Sequence, residues 1–355
     1  MKTILVTGGC GYIGSHTIYH LLKLGYKVVV IDSCINSNPE SLDYVLKLLK
    51  NHNPSISENL LFLKGDLRNN KFMKKAFEII CKNRVIDGVI HFAGLKSVPE
   101  SFINPLLYWD VNINSTISLL NFMEEFSCRT LIFSSSASIY GNTDSKLIEE
   151  GSLINPTNPY GTTKAYIEKL LSEIHASSKR WKIANLRYFN PIGAHRSGQI
   201  GENPLGKPNN IFPIINQVAL GERPKLEIYG KDWNTSDGTC VRDYIHVMDV
   251  AEGHVLMLEY LFKNDLSFLN LNLGTGKGTS VLELLRIYEE VNSLKLNFEF
   301  SDRRVGDVDR LVADNSLAKK ILNWQPKLNI EEMCRDGWNW QLKNPLGYEP
   351  NKIKL

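Results

Sequence analysis

Tyr160 and Lys164, four residues apart in Tyr160-Gly-Thr-Thr-Lys164, are the side chains of this sequence best suited to proton chemistry. With 3.6 residues per turn, both fall on one face of a helix. A free phenol titrates near ~10, and an adjacent ammonium favours its ionised form. The pair therefore reads as a phenol prepared to take a proton from a substrate hydroxyl. A serine-rich run, Ser134-Ser-Ser-Ala-Ser-Ile-Tyr-Gly141, precedes it. Because Y-x-x-x-K also arises by chance in exposed helices, the reading depends on what the rest of the chain brings to the pair.

The first thirty residues bring a dinucleotide site. Lys2 to Thr7 is a short β-branched and apolar run that predicts a buried strand, and Gly8-Gly-Cys-Gly-Tyr-Ile-Gly14 follows at once. His16 to Leu24 has helical apolar spacing, Gly25 stands where a helix C-cap belongs, and Tyr26 to Ile31 reads as a second buried strand. Strand, glycine-rich turn and helix start are what a pyrophosphate requires: glycines let the backbone approach, and the free N–H groups carry partial positive charge. The glycines can be read as Gly9-x-Gly11-x-x-Gly14 or as Gly8-x-x-Gly11-x-x-Gly14. Asp32 lies 18 residues beyond Gly14, near the spacing of a carboxylate that binds the adenosine ribose hydroxyls. A carboxylate there repels a 2′-phosphate, which favours NAD over NADP.

Elements must then carry these residues to one place. Further strand signals fall at Leu60–Lys64, Val85–His91, Thr130–Ser134 and Lys182–Arg187, each followed by a helical pattern. That alternation predicts an α/β fold with a Rossmann-type doubly wound parallel sheet, over residues 1–189. Residues 33–59 read as a polar, solvent-exposed insertion with one helical stretch, Leu42 to Leu49. From residue 190 to 355 glycine and proline become frequent and the runs shorter, as at Leu226–Tyr229 and Leu269–Leu273, which predicts a smaller mixed α/β substrate-binding lobe. Segments near 236–275 are candidates to return to the first domain. Ligands of such sheets bind beyond the carboxyl ends of the strands, where Asp66-Leu67, Phe92-Ala-Gly-Leu-Lys96, Ser134-Ser-Ser136 and Asn190 fall.

Charge and composition exclude other classes. Lys plus Arg number 41 against 38 acidic residues, with no basic run, so neither nucleic acid nor an anionic membrane is indicated. No secretory leader is apparent, and no apolar stretch approaches the ~20 residues that span a bilayer. The six cysteines (Cys10, Cys34, Cys81, Cys128, Cys240 and Cys334) are scattered without C-x-x-C spacing, which points to reduced thiols in the cytosol rather than disulfides or a metal site. The Asn-x-Ser/Thr matches at Asn114 and Asn234 are then chance occurrences, and Cys10 stands in place of a small residue.

The motifs together resemble the extended short-chain dehydrogenase/reductase superfamily and, within it, the UDP-glucose 4-epimerase family. The resemblance runs from Val6-Thr-Gly-Gly-Cys-Gly-Tyr-Ile-Gly-Ser-His16 through His91-Phe-Ala-Gly-Leu-Lys96, Phe133-Ser-Ser-Ser-Ala-Ser-Ile-Tyr-Gly141 and Asn158-Pro-Tyr-Gly-Thr-Thr-Lys164. It continues in Leu186-Arg-Tyr-Phe-Asn-Pro-Ile-Gly-Ala-His195, Pro208-Asn-Asn210, Asp237-Gly-Thr-Cys-Val-Arg-Asp-Tyr-Ile-His-Val-Met-Asp249 and Arg303-Arg-Val-Gly-Asp307, and ends in Met333-Cys-Arg-Asp-Gly-Trp338 and Asn344-Pro-Leu-Gly-Tyr348. It implies C4 epimerisation of a UDP-hexose, UDP-galactose to UDP-glucose and back, through a transient 4-keto sugar with tightly bound NAD.

Residue by residue, the resemblance implies Tyr160 as base for the 4-hydroxyl, Lys164 on the nicotinamide ribose and Ser136 on the same oxygen. Gly8, Gly11, Tyr12, Ile13, Gly14, Asp32, Asp66, Leu67, Phe92, Ala93, Gly94, Lys96, Asn112, Ser134 and Phe189 would line the NAD site. Asn190, Asn210, Ile211, Arg242, Arg304 and Asp307 would hold the UDP part, with Lys96 also at the substrate, the arginines being suited to two phosphates. Leu311 falls where the family controls entry of N-acetylated hexoses. A homodimer through helices near 100–125 and 160–180, and a place in galactose metabolism, are also implied.

Other readings of the same residues stand beside these. Arg304 with Asp307, and Arg242 with Asp243, could be structural ion pairs, His91 and His246 satisfied core histidines, and Trp338 and Trp340 packing residues of a final helix. A nucleotide-sugar 4,6-dehydratase needs an acid and a base directly after the serine of the fifth-strand loop. Ala137 and Ser138 stand there, and neither exchanges a proton at neutral pH. A decarboxylase is disfavoured for the same reason, and a non-catalytic NAD sensor would have no use for Tyr160 and Lys164.

Overall fold

The aliphatic runs form one all-parallel sheet, because each is long enough to cross it and apolar enough to be covered on both faces. The computed structural model describes residues 1–355 apart from 51–52, 83–84, 144, 207, 266–267 and 349–355. Six sheet strands come from the first half: β1 (Thr3–Thr7), β2 (Lys27–Asp32), β3 (Leu60–Lys64), β4 (Ile86–His91), β5 (Thr130–Ser136) and β6 (Lys182–Tyr188). Between them run α1 (Tyr12–Lys23), α2 (Glu40–Lys50), α3 (Asn70–Cys81), α4 (Val98–Ile103), α5 (Pro105–Trp109), α6 (Ser115–Glu125) and α7 (Pro159–Ser177). The seventh strand is Phe268–Leu273, paired in parallel with β6. Across the sheet the order is Phe268–Leu273, β6, β5, β4, β1, β2, β3. The order reverses between β1 and β4, and that switch point opens the crevice in which such sheets bind ligands.

Alternation in the strands divides the core. Ile4, Val6, Val28 and Val30 face one side with Ile18, Leu21 and Leu22 of α1, while Leu5, Val29 and Ile31 face the other with Met73 and Phe77 of α3 and Ile167 and Leu171 of α7. The 33–59 segment departs from the exposed insertion expected of it. Leu42, Val45 and Leu49 of α2 are buried in the same cluster as Ile4 and Val6. Their spacing is an apolar helical stripe, which the polar residues around it obscured. Residues 51–52 of that segment lie outside the described residues.

The later part of the chain forms β7 (Asn190–Ile192), α8 (Ile211–Ala219), β8 (Leu226–Tyr229), β9 (Val241–Arg242), β10 (Tyr244–His246) and α9 (Val247–Lys263). After the seventh sheet strand, here β11 (Phe268–Leu273), come β12 (Thr279–Ser280), α10 (Val281–Asn292), β13 (Phe298–Ser301), β14 (Arg310–Leu311), α11 (Ser316–Leu322) and α12 (Ile330–Lys343). Helix α9 returns to the sheet, with Val250, Met257, Leu258 and Leu261 in the core of α1. The short strands pair as β7 with β10, β8 with β13, and β12–β9–β14. They enclose a separate core of Ile192, Phe212, Ile215, Tyr288, Met333 and Trp338. Capping boxes at Ser280/Glu283 and Asn329/Glu332 start α10 and α12. Trp338 and Trp340 are buried on α12.

Candidate active site

The carboxyl ends of the strands open into a cavity of about 770 Å³ that continues between the sheet and the smaller lobe. On the sheet side its lining includes Gly8, Gly11, Tyr12, Ile13, Gly14, Asp32, Asp66, Leu67, Phe92, Ala93, Gly94, Lys96, Ser134, Ser136, Tyr160, Lys164 and Phe189. Opposite stand Asn190, Asn210, Ile211, Arg242, Arg304, Asp307 and Leu311. Asn112 is the exception. It is buried, its Nδ2 donates to Leu95 O (3.2 Å) and Thr163 Oγ1 (2.9 Å), and its Oδ1 accepts from Leu95 N (2.8 Å). Its amide is consumed in tying the loop after β4 to α7, so it supports the wall instead of lining it.

The turn after β1 fits a dinucleotide pyrophosphate. Gly8 has φ +69°, and a Cβ there would stand 2.6 Å from Ala93 N, so only glycine lets the turn lie against the loop after β4. Gly11 is the N-cap of α1 and brings no side-chain cap, leaving the first N–H groups of the helix to a ligand in the cavity. Asp32 is held in place: Oδ2 accepts from Cys10 N (2.9 Å), and Oδ1 from Cys34 N (2.8 Å) and Ser37 Oγ (3.0 Å). Although far apart in sequence, Cys10 and Cys34 both donate their backbone N–H to this one carboxylate, which brings the two residues to the same turn. All six are free. Asp66 is held by Arg68, whose Nε and Nη2 both donate to it, and this keeps its carboxyl below the usual range.

Tyr160 and Lys164 lie in the first turns of α7, where Asn158 caps the helix by accepting from Gly161 N (2.8 Å) and Pro159 fits the first position. Lys164 Nζ donates to Ser134 O (2.7 Å) and lies 4.7 Å from the centre of the Phe133 ring. Burial lowers its pKa to about 7, against an opposing pull from Glu168. Burial holds the Tyr160 phenol above its ordinary value, and Ser136 beside it pulls the other way without offsetting this. The poised phenol expected from the Tyr–Lys spacing is thus not reached by the protein groups alone. The ammonium is 5.9 Å from the phenol ring centre and is directed at a carbonyl.

On the opposite wall, Arg304 Nε and Nη2 donate to Asp307 (3.2 and 2.9 Å), and Arg242 lies 4.0 Å from the same carboxylate. The ion pair that was one reading of the sequence is formed, and it stands in the cavity wall. Asp243, by contrast, is structural: its carboxylate accepts from Thr275 N, Thr275 Oγ1, Gly276 N and Ala313 N. His91 is a satisfied core histidine, bonded to Thr7 Oγ1 and Thr116 Oγ1. His246 is not fully satisfied: Nδ1 accepts from Met248 N while Nε2 has no hydrogen-bond partner.

Tyr229 and Glu202 are among the lining residues that sequence reasoning missed. Tyr229 ends β8 with the Arg304 guanidinium 5.2 Å from its ring centre, and only its place at a strand's carboxyl end could have signalled it. Glu202 Oε1 accepts from Lys96 Nζ (3.0 Å) and Asn210 Nδ2 (2.9 Å), joining the two walls from a loop with no motif of its own. Among the described residues no group of three or more His, Cys, Asp or Glu side chains could hold a metal ion. No described helix is long and apolar enough to cross a membrane.

Comparison with known proteins agrees with this geometry. The family described as GDP-mannose 4,6 dehydratase matches residues 5–337. UDP-glucose 4-epimerase 2 of Arabidopsis thaliana is 48% identical over 347 residues, 98% of this chain and 97% of that protein. UDP-glucose 4-epimerase of Bifidobacterium longum, solved in complex with NAD+ and UDP, superposes with a TM-score of 0.91 at 41% identity, covering 98% of this chain and 100% of that one. The Stenotrophomonas maltophila UDP-glucose-4-epimerase, with bound NAD and formylated UDP-arabinopyranose, has the same TM-score at 42% identity, covering 98% and 99%. With this sheet, this cleft and near-half identity along almost the full length, the chain belongs to the UDP-glucose 4-epimerase family of the extended short-chain dehydrogenases/reductases.

Proposed function

We propose that the protein interconverts UDP-galactose and UDP-glucose by inverting C4, using NAD that stays bound through the cycle. The observation that carries this reading is the meeting, in one cavity, of the Tyr160–Ser136 pair on the sheet side with Arg242, Arg304 and Asp307 on the other. Tyr160 takes the proton from the sugar O4 and later returns it, with Ser136 bonded to the same oxygen. Lys164 holds the nicotinamide ribose, and the turn from Gly8 to Gly14 and Asp32 hold the rest of the dinucleotide. Bound NAD+ would accept a hydride from C4 and give it back to the other face, and its positive ring supplies charge that favours the phenolate. Arg242 and Arg304 grip the diphosphate while the hexose, a 4-keto sugar between the two transfers, turns over between Tyr160 and Leu311. Fixing the nucleotide and leaving the sugar free to turn is what allows both faces of C4 to be used.

The dehydratase chemistry in the name of the matching family finds no support in the residues beside Ser136. Ala137 is buried and Ser138 is bonded to Ser136, so neither required acid nor base is present there. Incubation with UDP-galactose without added NAD tests the reading. UDP-glucose is the expected product, no conversion by folded protein overturns it, and a 4-keto-6-deoxy sugar would favour the dehydratase instead.

N-acetylated UDP-hexoses are the second substrate question. Leu311 lines the cavity and packs near Phe189 and Tyr140, a side chain of intermediate size at the position that governs their entry. In the same reading the chain divides into a dinucleotide domain over 1–189 and a UDP-sugar lobe from 190, with α9 and β11 returned to the first. It pairs as a homodimer through α4–α6 and α7, where Phe102, Ile103, Leu106, Leu107 and Tyr166 expose an apolar surface unusual for a free face. Six free cysteines suit a reducing cytoplasm, and galactose metabolism is the setting this substrate implies.

A further inference from the structure

Three consecutive serines at the end of β5 each reach a different residue of α7. Ser136 stands beside Tyr160 in the cavity wall, the carbonyl of Ser134 accepts from Lys164 Nζ, and Ser135 Oγ donates to Glu168 Oε1 at 2.5 Å. Tyr160, Lys164 and Glu168 follow one another at four-residue intervals, so they stack on one helix face against that strand. The first two belong to the proposed chemistry. The third is a fully buried carboxylate with no role in it.

The surroundings of Glu168 are unusually complete. Arg187 of β6 grips it through Nε (2.9 and 3.2 Å) and Nη2 (2.5 Å). The remaining Arg187 nitrogen donates to Tyr140 OH (2.9 Å) and Glu150 O (2.8 Å), and Tyr140 OH donates to Asn272 Oδ1 (2.7 Å). A buried pair costs much desolvation and is weak evidence of stabilisation by itself. A stable core at this place needs no ions, since aliphatic residues would fill it.

We infer that Glu168 is a positioning residue for the reaction: fixed by Arg187, its carboxylate is the counter-charge that keeps the Lys164 ammonium protonated in a dry site, and its bond to Ser135 holds the serine strand at the depth Tyr160 requires. This rests on the epimerase reading and deepens it. The titratable groups around Lys164 are few: Tyr160 and Glu168 on α7, His91 on β4, and Tyr188 and Arg187 on β6. His91 is held neutral by burial and by Lys164 itself. Tyr188 is held protonated by burial. Glu168 is therefore the one carboxylate among them, and its charge opposes the effect of burial on Lys164.

The test uses full-length Glu168→Gln carrying its own NAD, which keeps the shape and removes the charge. The Lys164 ammonium then loses its proton at lower pH, so the alkaline limb of the rate profile moves down by ~1 unit, and kcat falls more than KM changes. Phenolate absorbance, read as the difference from Glu168→Gln/Tyr160→Phe, moves to higher pH. Since Glu168→Gln leaves Arg187 unpaired and can fail to fold, Glu168→Gln/Arg187→Met is the second variant, and its alkaline limb is also expected below that of the unaltered protein. An unmoved limb in a folded variant, with only the melting temperature lowered, overturns the inference and leaves a structural ion pair. If the unaltered protein does not convert UDP-galactose, the epimerase reading fails by itself, and the phenolate titration alone decides the role of Glu168.

Discussion

The two walls of the cavity hold their charges in opposite ways. On the sheet side Lys164, Glu168 and Arg187 are buried to within a few per cent, and their partners lie on β5, β6, α7 and the connection from β5 to α7. On the lobe side Arg242, Arg304 and Asp307 are partly exposed, share one carboxylate, and come from loops and two-residue strands. The contrast follows the two tasks. Proton transfer needs groups held within a fraction of an ångström, which a sheet and a long helix supply. Binding a nucleotide diphosphate needs charge that can be given to the ligand, and a partly exposed guanidinium such as that of Arg304 costs less to redirect than a buried one. A preorganised floor faces an adaptable clamp.

The sharpest way to break this comparison is to remove the phenol. Tyr160→Phe leaves the packing of α7 intact and is expected to lower turnover of UDP-galactose by about 10²–10⁴ with KM nearly unchanged. A loss under tenfold would show that the floor does not carry the proton. The clamp should fail differently. Arg304→Ala is expected to raise KM by about 10–100-fold, the value of charge-assisted bonds to phosphate, while kcat changes little. A fall in kcat with unchanged KM would mean that the lobe side is as preorganised as the floor.

A smaller effect is expected at the edge where the walls meet. Leu311 lies on β14 beside Arg242 of β9, at the sugar end of the clamp. Leu311→Tyr should reduce turnover of UDP-N-acetylglucosamine relative to UDP-glucose by about 10-fold or more, as overfilling a pocket costs ~1–3 kcal/mol. Equal effects on both substrates would remove Leu311 from specificity.

Legibility in the sequence tracked this same division. Tyr160 with Lys164, and Gly8 with Gly11 and Gly14, are local patterns: helix periodicity and turn geometry relate neighbours in the chain, so their chemistry could be read directly. The strands of the sheet were legible for the same reason, with Leu60–Lys64 read to its observed limits. What escaped depended on distant partners. Asn112 reads as a polar residue near a cofactor, but its amide is spent on Leu95 and Thr163. Cys10 and Cys34 are joined through Asp32, whose carboxylate accepts from both amides. The spacing of Tyr160 and Lys164 gives proximity, whereas the burial that raises the phenol and the bond of the ammonium to Ser134 O depend on the strand packed against the helix. Tyr229 ends a short strand that carries no chemical motif, and Glu202 lies in a loop.

The seam between the two regions should respond to pH before either wall does. His16 on α1 and His195 after β7 are buried and His20 on α1 is half-buried, with pKa values lowered to about 3, 4 and 4, chiefly by desolvation, and His16 also faces His246. His246 Nε2 lies 3.4 Å from Asp336 of α12 without a hydrogen bond. In the unfolded chain these imidazoles take protons near pH ~6.5, so between there and pH ~4 the unfolded state binds more protons and stability falls as pH falls. Asp243 acts in the opposite sense: burial raises it to about 6, so its protonation below that pH favours the folded state. Asp249 and Glu150, also raised by burial, act with Asp243, but five histidines are lowered by burial, His91 and His254 among them, and the expected result is a melting temperature lower by roughly 5 °C at pH 5 than at pH 7.5. His16→Asn, which fills the same space without titrating, should remove part of that dependence. If the lobe and the sheet are one cooperative unit, a single calorimetric transition moves. A transition that splits on acidification would show that the seam, and not either wall, is where the two regions separate.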